Sequence, residues 1–166
     1  MKGSKGALAF DPGQARVGLA KSDSNRSFCF EVASLDRDDF SDALKIPVAV
    51  ARALSVEIHE LTERYDVAYV GLPISLTGAF TKSTHQAIEF AKLVESSTGL
   101  PVRLVDERLT TSAASARLRQ AGKTAKTQRG IIDSIAALII LEQALELERR
   151  GSGPAGVTIE EAEAHG

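Results

Sequence analysis

The chain has a single cysteine, Cys29, so no intramolecular disulfide can form. Its three histidines, at 59, 85 and 165, do not combine with that cysteine into any zinc-type spacing. His59 reads as an exposed helix residue, and His85 as a surface helix residue near a loop mouth. No apolar run is long enough to span a bilayer, and Lys2 and Lys5 are not followed by the apolar core of a signal peptide. A soluble cytoplasmic protein with no membrane partner is the expectation. Aromatic residues are few, two Tyr and six Phe, which argues against a platform that stacks single-stranded bases. Neither sign of charge dominates: 20 basic against 22 acidic residues leave a net charge of −2, so any case for a polyanionic partner rests on how charge is distributed. No internal repeat is present. A length of 166 residues suits one domain with a sizeable core.

The stretch from Ala7 to Ala20 organises what is present. A short apolar strand ends in Asp11, a turn carries Gly13, and a second apolar strand follows through Gly18. An acid at a strand tip is often no more than an Asx-turn, but two further carboxylates, Glu107 and Asp133, sit in equally unusual places. Residues 17–21 and 28–34 read as the two strands of a hairpin. Residues 35–42 are acidic and irregular. Pro47 fits the first turn of a helix, and Val50, Leu54, Ile58, Leu61 and Tyr65 form an apolar stripe at helical spacing. Val67–Gly71 is a short strand, followed by a polar loop. A helix over about 83–98 is stopped by Gly99 and Pro101. Val102–Glu107 alternates and ends in adjacent acids. Thr110 or Thr111 can cap a helix to Ala121, a loop spans Gly122–Gly130, and residues 131–150 form the last helix. The Gly-, Ala- and Glu-rich segment 151–166 is expected to be a disordered acidic tail beyond a domain at 1–150. Five strands, a hairpin meander followed by βα crossovers, predict an α/β protein with a mixed five-stranded sheet and helices on both faces. In such sheets the functional crevice lies at the carboxyl ends of strands, where Asp11 and Glu107 fall.

Asp133 shares a helix face with Ala136, Ala137 and Ile140, where a carboxylate is costly to bury without a cation. The ordinary alternative is a first-turn acid interacting with the helix dipole. If Asp11, Glu107 and Asp133 meet, their mutual repulsion calls for a divalent cation. Oxygen-only ligands select Mg²⁺ or Mn²⁺, and two such ions ~3.5–4 Å apart suit phosphodiester hydrolysis. The substrate follows from Arg108 to Arg129, a run with six basic residues and no acidic one, including Lys123 and Lys126. Such runs are usually solvated surface. This one links the second acid to the third, so it would rim the site and favour backbone and shape recognition of structured nucleic acid.

Asp11-Pro12-Gly13 with Arg16, Gly18 and Ala20, then Val70-Gly71-Leu72-Pro73, then Asp106-Glu107-Arg108-Leu109-Thr110-Thr111, then Gly130-Ile131-Ile132-Asp133-Ser134 with Ala136-Ala137 resemble the YqgF (RuvX) family. The resemblance covers about residues 8–145. It implies a ribonuclease H-like fold and a metal-dependent endonuclease that either matures the 5′ end of pre-16S ribosomal RNA or resolves Holliday junctions. It further implies that Asp11, Glu107 and Asp133 are the catalytic and metal-binding acids, with Mg²⁺ or Mn²⁺ as cofactor. Arg16, Arg108, Lys123, Lys126 and Arg129 would hold the phosphates of structured RNA or branched DNA. The segment 36–50 is longer than usual for the family, and the acidic tail is not part of its pattern. One rival, a phosphotransferase of the actin-like superfamily, needs a second lobe for which 166 residues leave no room. The other is a non-catalytic nucleic-acid-binding module in rRNA processing or transcription, against which the retained acids speak. A monomer or weak homodimer is expected, because no dimer seam is evident.

Overall fold

The computed structural model describes residues 4–107, 125–151 and 153–165, with 125–132 placed by their backbone alone. At its centre lies β1 (Gly6–Pro12), paired antiparallel with β2 (Arg16–Ser22) on one side and parallel with β4 (Tyr65–Leu72) on the other. Outside these run β3 (Cys29–Asp36), β5 (Val102–Asp106) and β6 (Val157–Thr158), giving the order β3-β2-β1-β4-β5-β6. The sheet is therefore six-stranded rather than five-stranded. It is mixed, as the hairpin-then-crossover pattern required.

Alternation along β1 sends its residues to two separate cores. Leu8 and Phe10 face one layer, formed by α1 (Lys45–Leu54), α3 (Lys82–Thr98) and α5 (Ile159–His165). There Phe10, Phe40 and Phe90 meet with ring centroids 5.1–6.0 Å apart. Ala7 and Ala9 face the other layer, which among the described residues is built mainly by the long helix α4 (Ala125–Arg150). Ala137, Ile140, Leu141 and Ala144 of α4 are buried against small sheet residues.

Three expected elements differ. The apolar stripe from Val50 to Tyr65 is real, but one helix does not carry it. Ser55 adopts a left-handed backbone (φ 58°) and ends α1, a 3₁₀ turn follows, and α2 (Leu61–Arg64) leads directly into β4. The interruption leaves Ile58 half exposed while Leu61 stays buried. Next, α4 begins at Ala125, so residues 125–130 are helical rather than loop. The helix expected between Thr110 and Ala121 lies outside the described residues.

The segment expected to be a disordered tail instead supplies β6 and α5. Composition misled because few residues suffice to anchor it. Ile159 and Ala162 are buried in the α3 layer, Arg103 donates to the carbonyls of Ala155 (2.6 Å) and Gly156 (2.8 Å), and Glu163 pairs with Lys92 at 2.5 Å. The buried Tyr69 hydroxyl accepts from the Ala155 amide (3.2 Å) and donates to Glu148. Arg26 reaches Glu148 (2.9 Å) as well as Asp66, so this network ties the far end of α4 to the tail. Among the described residues no helix is long and apolar enough to cross a membrane.

Candidate active site

Asp11 follows Ala7 and Ala9 in the alternation of β1, so its side chain falls on the α4 side of the sheet. Directly across the ladder from it stands Gly18. A Cβ at that position would lie 1.9 Å from the Asp133 carbonyl oxygen and 2.5 Å from its carbonyl carbon. Only glycine lets the backbone of α4 rest this closely on β2, and that contact sets the depth of Asp133. Gly71 plays a comparable part at the end of β4: a Cβ there would meet the Glu107 Oε1 at 2.6 Å and the Ile140 Cδ1 at 2.7 Å. Gly18 and Gly71 thus make room for the two acids contributed from later in the chain.

Glu107 follows immediately after β5, and its carboxyl hydrogen-bonds that of Asp11. Two carboxyls in contact must share a proton, and their surroundings favour it. Burial, then the charge of Asp11 and the hydrogen bond with it, push the Glu107 carboxyl up to about 8. Burial also raises the Asp11 carboxyl and outweighs the opposing hydrogen bond from Glu107, with a smaller upward contribution from the charge of Asp133. The third acid is satisfied differently. Arg16 Nε reaches Asp133 Oδ2 at 2.6 Å and Ser34 Oγ donates to the same oxygen at 3.0 Å. Ser134, the next residue on α4, donates to Glu31 of β3 at 3.4 Å.

The three expected acids therefore come together at one end of the sheet, but as a proton-sharing pair plus a cation-paired third. Among the described residues no three His, Cys, Asp or Glu side chains are gathered as a ready-made metal cage. Arg16, expected on a phosphate, is engaged with Asp133. The start of β2 lies under the first turns of α4, and the nearest carboxylate takes the guanidinium. Lys126 and Arg129 fall in the opening turns of α4, not in a loop, and Arg108 and Lys123 lie outside the described residues.

Asp11 and Glu107 open onto a cleft of about 780 Å³ whose other wall comes from α3 and the 3₁₀ turn Arg37–Phe40. Arg37, Lys82, His85 and Gln86 line it. Sequence patterning did not single out Arg37 or Lys82, because each is an isolated cation with no basic neighbours to draw attention to it.

RuvC from T. thermophilus, solved in complex with a Holliday junction substrate, superimposes with a TM-score of 0.50 at 11% identity, covering 91% of this chain and 99% of that one. The shared fold is ribonuclease H-like. Proteins from Clavibacter michiganensis and Leifsonia xyli, both named "Putative pre-16S rRNA nuclease", are 40% and 39% identical over 92% of this chain and 89% and 93% of their own lengths. These matches support a nuclease role. A family profile described as "RuvX: Holliday junction resolvase" matches residues 5–147, and with relatives of that identity over most of the chain, the protein belongs to the RuvX (YqgF) family.

Proposed function

We propose that the chain is a cytoplasmic, divalent-metal-dependent endonuclease that hydrolyses phosphodiester bonds in structured nucleic acid, with the precursor of 16S ribosomal RNA as its substrate. The observation that carries this reading is the Asp11–Glu107 carboxyl pair at the floor of an open cleft, with Asp133 held nearby by Arg16. Junction resolution is the second reading, favoured by the description of the matching family.

The donor set fits a hard divalent cation: all ligand atoms are oxygens, and the proton shared by Asp11 and Glu107 is one that a cation would displace. Asp11, Glu107 and Asp133 would hold Mg²⁺ or Mn²⁺. When bound, such ions supply charge stabilisation for the attacking and leaving oxygens of phosphodiester hydrolysis. The chain's own residues supply the rest. Asp11, on the rigid central strand, sets the position of the reacting phosphate, and Glu107 approaches it through the space left by Gly71. Arg16 and Ser34 orient Asp133 through Oδ2. Buried Phe40 and Phe90 pack beneath the cleft and keep its α3 wall in place.

The test is cleavage of precursor rRNA and of a four-way junction, side by side, in Mg²⁺ or Mn²⁺. Asp11→Asn is expected to lower the rate by at least about 10³-fold while nucleic-acid affinity persists, because several kcal/mol of transition-state stabilisation pass through that carboxylate. Full activity in Asp11→Asn would overturn the assignment, and cleavage of the junction alone would select the second reading.

A further inference from the structure

The cleft has a second wall whose chemistry the three acids do not explain. Arg37 stands at the start of the 3₁₀ turn after β3 and clasps the β1–β2 turn that begins just past Asp11. Its amide donates to the Ala15 carbonyl at 3.0 Å and its Nη1 to the Gly13 carbonyl at 2.6 Å. The guanidinium carbon lies 5.2 Å from the centroid of the Phe90 ring, so the group is held from two sides. Partial burial lowers its proton affinity, the mark of a cation that gains from an anionic neighbour. Among the described residues no carboxylate pairs with it, and one of five N–H donors is committed to Gly13.

Lys82 faces the same cleft from the first turn of α3. That turn is fixed. The Thr84 amide donates to Thr81 Oγ1 (3.4 Å), the Thr81 amide to Thr84 Oγ1 (2.9 Å), and the buried Thr84 hydroxyl donates to the Pro73 carbonyl at the cleft edge. His85 is seated edge-on against Phe80, with centroids 6.0 Å apart. Glu89, the acid on this wall, is paired with Lys92 at 3.3 Å, and Lys82 has no ion-pair partner among the described residues. Two fixed or exposed cations without counter-charge therefore stand across the cleft from two carboxyls. A neutral or cationic ligand would gain nothing from them, whereas a polyanion crossing the acids would need them.

Resting on the nuclease reading, we propose that Arg37 and Lys82 bind backbone phosphates of the nucleic-acid substrate. They would hold the strand segment on the α3 side of the scissile bond, as a track distinct from the basic run between Arg108 and Arg129. Arg37, tied to the turn after Asp11, contacts the phosphate nearer the acids, and Lys82 one further along.

The test is fluorescence anisotropy with a labelled RNA hairpin bearing a single-stranded 5′ extension, titrated from 50 to 300 mM KCl in Ca²⁺. The double variant Arg37→Gln/Lys82→Ala, whose Gln keeps an amide donor for Gly13, is compared with Lys45→Ala/Arg52→Ala, an equal charge loss on the exposed side of α1. The expected result is a salt slope flatter by about 1.8 log units per log unit if the segment is duplex, or about 1.4 if single-stranded, in the cleft variant only. An unchanged slope, or an equal flattening in the α1 variant, would overturn the proposal. Absence of any salt-dependent binding by the wild-type protein would instead overturn the nuclease reading on which it rests.

Discussion

Glu107→Gln separates the electrostatics of the acidic pair from its chemistry. In the metal-free protein the Glu107 carboxyl is pushed from 4.5 up to about 8, first by burial and then by Asp11. The folded protein therefore keeps a proton between roughly pH 5 and 8 that the unfolded chain has already released. With more protons bound in the native state, stability is greatest below the unfolded value and falls as pH rises through that window. At about 1.4 kcal/mol per unit, the displacement sets an upper bound of about 5 kcal/mol on the loss. Solvent entering the cleft screens the group and brings the expected value nearer to about 3 kcal/mol. Gln is neutral throughout, and its amide takes the place of the shared proton toward Asp11. In urea unfolding with EDTA, the variant should match wild type at pH 5 and exceed it by about 3 kcal/mol at pH 9. A difference that does not grow with pH, or a wild type that is the more stable at pH 9, would refute the shared-proton arrangement.

Other outcomes follow from single contacts. Gly18→Ala puts a methyl group into the α4 backbone; urea unfolding should show a loss of about 1–3 kcal/mol, and displacement of Asp133 should cut the cleavage rate on the order of 10²-fold. Replacing Lys123, Lys126 and Arg129 together should flatten the salt slope of duplex binding by about 3 × 0.9 log units, and an unchanged slope would make that run mere solvated surface. Cys29, raised to about 11 by burial and then by Glu142, should react with iodoacetamide at pH 8 about 100-fold more slowly than a thiol of ordinary affinity. Light scattering at micromolar protein should report a monomer without nucleic acid; a tight dimer would favour junction resolution, which needs two sites related by symmetry.

Periodicity and turn chemistry are local properties, so much of the architecture could be read without coordinates. The hairpin over β2 and β3, the α3 stop at Gly99 (φ 79°) and the strand that leads into Glu107 all follow from neighbours within a few residues. The three acids were also legible, since a carboxylate at a strand tip or on an apolar helix face is out of place locally. What failed was whatever depended on distant partners. Ser55 breaks an otherwise continuous apolar stripe, and the Glu-rich tail orders because Tyr69, Arg103 and Lys92, 50 or more residues away, accept it.

The sequence by itself determined the alternating strands, the faces of the helices and the identity of the acids, because each rests on short-range sterics and on the cost of burying charge. Only the tertiary structure decided that Asp11 shares a proton with Glu107 while Arg16 takes Asp133, and that Arg37 and Lys82 look onto the same cleft. Those pairings join residues up to 117 positions apart. They arise from the closeness that Gly18 and Gly71 permit between layers, and no spacing along the chain encodes a contact made across a sheet.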